Sequence, residues 1–349
     1  IPANSWSTNE LKNQEEIAKV LQETFKAAKP HPLPARRIML ALPESVIFSG
    51  TFSVPTMKPS ELKQALPYQI AEKLSINLDD YYIDFELTNS RCKPIEGAEH
   101  RKADPSLPPE HDPKSDKGDK KVEDEKADQP EGAAPPGGDN TDHTAVFAVA
   151  AKKSLIDSLI ELGKLAGVEI AGIDIKPGAV ARAVAPAHDQ TMRLIIDLGA
   201  GNTVVIVAEG HSPHLMSSVP IGVKQISGSE VSPTGQTVSL PLGPDPQALE
   251  HFLAKAGPVF DELVHVTKFY ENRICPGGKI KEIVLSGGGA NIQGITELFT
   301  QQTGLPTRLG NPFALIDTAH YPVSDDLART FADSVGLAMR ELHEESKKI

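Results

Sequence analysis

Only two cysteines, Cys92 and Cys275, occur in the 349 residues. They give no disulfide framework and no metal-ligand spacing, so a reduced, cytoplasmic setting is the default. No signal peptide and no run of about eighteen apolar residues is present, so the chain is not expected to span a membrane. Basic charge is in deficit: 35 Lys and Arg stand against 47 Asp and Glu, a net charge of −12. That balance argues against a general nucleic-acid or anionic-membrane surface. The histidines are scattered, and neither HExxH nor a usable Ser/His/Asp set occurs, so no metalloenzyme is indicated. The chain begins with Ile1 rather than Met, which suggests that an amino-terminal portion has been lost. Its length suits two or three packed subdomains.

What is present centres on Arg193 to Val207, RLIIDLGAGNTVVIV. Two short β-branched runs joined by a Gly/Asn turn read as a β-hairpin. The acidic residue at the end of the first strand fits a second reading. Gly199 and Gly201 let a ligand approach the backbone, whose N–H groups can cradle a phosphate. Asp197 could then hold a metal ion, or its water, beside that phosphate. The plain alternative is an ordinary hairpin with an Asp at its bend.

A second stretch, KEIVLSGGGANI from Lys281 to Ile292, places three glycines between a buried strand and a helix-like pattern. A flat ligand can lie against such bare backbone. The stretch is not GxGxxG, and no acidic residue follows at dinucleotide spacing, so a Rossmann reading is weak. The pair, DLGAGNT and SGGGA, resembles the phosphate-2 and adenosine motifs of the actin, sugar-kinase and 70-kDa heat-shock superfamily. The two corners are expected to close over one nucleotide from opposite lobes, with Gly199 and Gly288 across a shared crevice.

Along the chain, apolar spacing predicts helices over Asn9–Ala28, from Ser60 as N-cap to Leu74, over Ser154–Ala166, Ala179–Val184, Pro246–Asn272, Ile295–Gln302 and Asp326–His343. Pro67 should kink the second of these. Strands are predicted over Arg37–Leu42, Val46–Val54, Tyr81–Leu87, Ala145–Ala150, Val168–Ile175 and, briefly, Pro306–Leu309. Gln225 to Gly243 reads as an irregular polar loop. Lys93 to Asn140 differs from all of this: it has no aromatic residue, and 13 acidic against 8 basic residues. With so little apolar surface to offset chain entropy, it should be disordered.

The order of these elements resembles the PilM family of type IV pilus assembly proteins, actin-like proteins related to the division protein FtsA. RIMLALPESVIFSGTFSVP and SELKQALPYQIAEKLSINLDDYYIDFEL look like that family's inserted subdomain. AVFAVAAKKSLIDSLIELGKLAGVEIAGIDIKPGAVARAV looks like its second half and the return to the main domain. DLGAGNT, the helix through Phe269 and Tyr270, and LSGGGANIQGITELFTQQTGLPTRLGNPF complete the pattern, with Gly304, Pro306, Asn311, Pro312 and Phe313 its most family-specific part. The resemblance implies an α/β, actin-like (ribonuclease-H-like) two-lobed fold with an inserted α+β, SHS2-like subdomain. Residues 1–45 would be the remainder of the first lobe, 46–175 the inserted subdomain with its disordered acidic insert at 93–142, and 176–349 the second lobe.

By the same resemblance, Asp197, Gly199, Gly201, Asn202 and Thr203 would face the phosphates of ATP and Mg²⁺, Asp197 through a water. Gly287, Gly288, Gly289 and Ala290 would face the adenosine. Glu262 is a weaker candidate for the ribose, and Lys268 weaker still. Family members open with a strand pair carrying a DIG-type phosphate loop, and this chain starts after that point. ATP and Mg²⁺ binding is therefore expected to be weak or absent in the chain as it stands, and present once that segment is restored. The implied role is a bacterial, non-enzymatic scaffold at the cytoplasmic face of the inner membrane. It would capture the cytoplasmic tail of the bitopic protein PilN near Leu40 to Val54 and join other inner-membrane pilus proteins, with a homo-oligomer as an open alternative to a monomer. The rivals are a small-molecule kinase of the same superfamily, the cytoplasmic part of a GspL-type secretion protein, and a filament-forming actin homologue. The kinase would need a second convergent polar set.

Overall fold

The computed structural model describes residues 6–7, 10–29, 31–34, 36–55, 58–88, 143–187, 189–227, 246–314, 316–318 and 323–346. The acidic insert and most of the Gln225–Gly243 loop lie outside the described residues. The first half runs β1 (Trp6–Ser7), β2 (Glu10–Leu11), α1 (Gln14–Ala27), β3 (Arg37–Leu42), β4 (Ile47–Pro55), α2 (Pro59–Leu74), β5 (Tyr81–Leu87), β6 (His143–Lys152), α3 (Lys153–Ala166), β7 (Glu169–Ile175) and α4 (Lys176–Val184). The second half runs β8 (Met192–Leu198), β9 (Thr203–Glu209), β10 (Ser212–Val219), α5 (Val223–Ser227), α6 (Pro246–Phe269), β11 (Glu282–Ser286), α7 (Ile295–Thr303), β12 (Thr307–Leu309), α8 (Asp325–Thr330) and α9 (Ala332–Ser346).

The largest sheet has the order β10-β9-β8-β11-β12, antiparallel from β10 to β8 and parallel from β8 to β12. Helices cover both of its faces, which is why RLIIDL is apolar throughout rather than alternating. Leu194, Ile196 and Leu198 join the core formed with α6 and α7, whereas Ile195 joins the core formed with α4 and α9. Alternation along the strand puts Asp197 on the α4 and α9 side, level with the end of the sheet. The position of α4 on that side makes its first residue a neighbour of Asp197.

The inserted sheet, β4-β6-β5, is antiparallel, with nine pairs from Ile47↔Ala151 to Pro55↔His143. Helix α2 covers one face through Leu62, Leu66, Ile70 and Leu74. Ile47 and Phe147 share a core with α1 and α3. Strands β3 and β7 form a separate parallel pair, Arg37↔Glu169 to Leu42↔Ile175.

Four local readings are corrected. Helix α2 starts at Pro59, a residue suited to the first helical position, and Lys58 rather than Ser60 is its N-cap, with the Lys58 N–H donating to Glu61 Oε2 at 3.2 Å. The last predicted helix is two, because Phe331 leaves helical geometry at φ −105° and ψ 21°. Strand β10 was not foreseen; its Ser and His residues mask a segment that the fold nonetheless buries. Cys275 is disulfide-bonded, against the reading of no disulfide framework; two lone cysteines carry no spacing signal for a bond.

Candidate functional site

Both glycine corners lie at one end of one sheet, where its strands β8 and β11 finish. Ser286 is level with Asp197 in the parallel β8–β11 register, so Gly287 emerges beside Leu198. Gly287 has φ +79°, and a Cβ there would stand 2.5 Å from Asp197 Oδ1 and 2.7 Å from Leu198 O. Only glycine tolerates that backbone and that approach. The expected closure from opposite lobes is thus corrected: adjacent parallel strands deliver both corners to the same side of the crevice. Beyond the carboxyl ends of such strands is where open α/β sheets bind ligands.

The loop after β8 is a tight turn in which the Gly199 N–H donates to Asn202 O at 3.0 Å. Its outward carbonyls are already taken: the first amides of α5, Val223 and Lys224, donate to Gly199 O and Ala200 O, each at 3.0 Å. Gly222 permits this docking, since a Cβ there would lie 2.6 Å from the loop backbone. Thr203 is wholly buried and its hydroxyl donates to Ile221 O at 2.7 Å, inside the fold. Ala200 and Gly201 are exposed, and a Cβ at Gly201 would meet nothing within 4 Å. Asn202 reaches across the crevice, its Nδ2 donating to Glu44 Oε1 at 3.0 Å.

Asp197 is 5% exposed, and Lys176 Nζ stands 2.8 Å from its Oδ2. Burial alone would lower the Lys176 pKa, but attraction and hydrogen bonding to Asp197, with Asp333 and Glu44 adding, raise it above the usual lysine value. The second Glu44 oxygen, Oε2, is buried without a hydrogen-bond partner. A resident Mg²⁺ held by Asp197 does not fit this arrangement, because an ammonium already occupies the carboxylate. Among the described residues no group of three or more His, Cys, Asp or Glu is placed to hold a metal ion. Exposed backbone at Ala200 and Gly201, with the partly exposed Lys176 ammonium at the strand end, does suit a phosphate group.

In the triplet, Gly289 and Ala290 are buried and Gly288 is partly exposed. Helix α8 lies against this turn. Gly287 N–H donates to Arg329 O at 3.2 Å, and Arg329 is fastened to Asn291 Oδ1 at 2.6 Å and Asp326 Oδ1 at 2.7 Å. Of the four predicted adenosine residues, Gly288 therefore offers the open backbone. Glu262 is half-exposed on α6, with His265 Nδ1 3.8 Å away, one turn further along the helix. The sequence reading missed Lys176, Glu44 and Gly222. The IKPGA start of α4 was the available signal for Lys176, a charge placed just before a proline-initiated helix.

A second opening, a groove of about 480 Å³, lies between the inserted sheet, β7 and α4. Leu42, Ile47, Phe147, Val149, Ile156 and Ile173 supply its apolar walls. Two of these, Leu42 and Ile47, fall in the predicted Leu40–Val54 stretch; β5, β6, β7 and α4 supply most of the remaining lining. Strand β5 is an edge of its sheet and runs along the groove. At one end, buried Asp174 receives Arg182 Nη2 at 2.9 Å and Arg340 Nη1 at 3.0 Å, and Arg182 Nη1 also donates to Gly336 O at 2.7 Å.

Residues 243–342 match the family model of the type IV pilus assembly protein PilM. No curated protein matches the sequence. Among solved structures, a PilM–PilN type IV pilus biogenesis complex is similar over 97% of this chain and 89% of that one, with 16% identity and a TM-score of 0.65. MreB5 of Spiroplasma citri bound to AMPPNP is 14% identical over 56% of this chain and 66% of that one, with a TM-score of 0.40. The cytoplasmic domain of EpsL, an inner-membrane component of the type II secretion system of Vibrio cholerae, is 10% identical over 58% and 56%, with a TM-score of 0.31. The similarity to PilM and the actin-like fold read from the sequence are borne out. Among the described residues no helix is long and apolar enough to cross a membrane.

Proposed function

We propose that this protein is a non-enzymatic, actin-like scaffold of the type IV pilus inner-membrane assembly complex, receiving the cytoplasmic tail of a PilN-type protein in the groove beside β5. The observation that carries this reading is the groove itself: an apolar-walled channel next to a strand edge that no other described residue pairs. An extended peptide adds main-chain hydrogen bonds along such an edge, while its alternate side chains enter the apolar wall. Recruitment through a bitopic partner would hold the protein at the cytoplasmic face of the inner membrane without a span of its own.

Nucleotide is the second ligand of this reading. The phosphates of ATP would meet Ala200, Gly201 and Lys176, and the base would lie toward Gly288. No residue is assigned to acid–base chemistry. Fluorescence anisotropy with the labelled PilN tail tests the scaffold role: the protein binds it, and Ile173→Asp, which places a charge on the groove wall, abolishes binding with the circular dichroism spectrum retained. A wild-type protein that leaves the tail free in solution sinks the proposal.

A further inference from the structure

Lys176 is the first residue of α4, and its ammonium sits beside the strand-end carboxylate that a nucleotide-bound metal would be expected to use. Several features make it a built-in cation rather than a chance surface pair. Its partner Asp197 is 7% exposed at the side chain, and Lys176 itself 28%. Three carboxylates act on it: Asp197 in contact, with Asp333 and Glu44 farther away. The Glu44 Oε2 atom is buried and has no hydrogen bond of its own. Without a positive charge this crevice would hold uncompensated buried carboxylates, which is costly. An ammonium also carries three donors, so the ion pair with Asp197 leaves donors for an incoming oxygen.

We propose that Lys176 takes the place of the divalent cation in this crevice, so that phosphate groups are met by the ammonium and Asp197 binds no metal. This rests in part on the nucleotide reading above. A metal would have to displace a charge that is tethered to the backbone next to its partner, and so is always at high local concentration. The neighbouring carboxylates keep the ammonium in place when no ligand is bound, and the exposed backbone at Gly201 provides the remaining phosphate contacts.

The test uses two readouts. Electron paramagnetic resonance with millimolar Mn²⁺ and no nucleotide reports metal uptake directly. Calorimetric titration of ATP, in EDTA and in Mg²⁺, reports the cation dependence of binding. The wild type should leave Mn²⁺ free, and its ATP affinity should agree in the two buffers within about threefold. Lys176→Met should take up one Mn²⁺, lost again in the double variant with Asp197→Asn, and its ATP affinity should become about tenfold dependent on Mg²⁺. Lys176→Arg, which keeps the charge, should behave as the wild type, and Lys176→Gln serves if the methionine variant does not fold. Mn²⁺ uptake by the wild type, or none by the charge-removed variants, overturns the proposal. If ATP binds in neither buffer, the nucleotide reading fails and the Mn²⁺ result alone decides this one.

Discussion

The crevice and the groove both adjoin α4 and differ in what they leave unspent. In the crevice many polar groups are engaged by the protein itself: Asp197 pairs with Lys176, Asn202 with Glu44, the loop carbonyls with α5 and Thr203 with Ile221, while Glu44 Oε2 is left without a hydrogen bond. In the groove the walls are largely apolar, and among the described residues the edge of β5 is unpaired. A site whose groups are already partnered binds only what can replace those partners. An open apolar wall beside a free edge gains from almost any matching extended chain. On this comparison the proposed peptide site asks for less rearrangement than the proposed nucleotide site.

The severest way to break the comparison is to part α4 from α9, since α4 serves both sites. A Cβ at Gly336 would fall inside the Ala179 carbonyl, and the Gly336 carbonyl also accepts the Arg182 bond. Gly336→Val is expected to cost about 3 kcal/mol or more of stability and to lose both ligands together; an unchanged urea midpoint would show that the helices separate freely.

Acid acts next, at the seam between the regions. His214 lies in β10, its carbonyl accepting the Thr51 hydroxyl of β4, and its Nδ1 is 3.0 Å from the Tyr270 hydroxyl. Burial lowers its pKa from 6.5 to about 4, the Glu209 carboxylate at 3.8 Å being too distant to reverse that. The unfolded chain then binds the proton more readily than the folded one. Stability is fully present above pH 6.5 and falls as pH drops toward about 4, by up to about 3 kcal/mol. His214→Gln should flatten this part of the urea midpoint against pH; an unaltered slope would assign the acid sensitivity elsewhere.

Gly222→Ala sharpens the contrast, because its clash is with the crevice loop alone. A loss of about 2 kcal/mol is expected, with nucleotide affinity reduced and tail affinity kept. Equal loss of both would mean the two sites are not separable. The smallest structural effect belongs to Tyr82→Ala on the groove rim, where the ring is 49% exposed. Stability should change by less than about 0.5 kcal/mol while tail affinity falls about tenfold. An unaltered anisotropy titration would remove Tyr82 from the tail's path.

The elements with strong periodicity were legible in advance. Arg37–Leu42 and Tyr81–Leu87 form the strands that β-branched, apolar and aromatic residues at those positions indicate. The two glycine corners were legible too, because close approach of backbone to backbone demands glycine whatever the ligand. Strand β10 was not, since a buried strand containing His214 and Ser217 gives no apolar pattern. Nor was the roll of the crevice residues, because Glu44 and Asn202 are 158 positions apart and meet only after the lobes pack.

Local composition by itself determined where strands and helices form, that both faces of the central sheet are covered, and that two corners are made of bare backbone. Tertiary structure alone decided that those corners share one end of the sheet, that Lys176 pairs with Asp197, and that the groove opens beside β5. The physical reason is one of range. Periodicity and backbone sterics act over a few residues, whereas the pairing of buried charges depends on which distant segments the burial of apolar surface brings together.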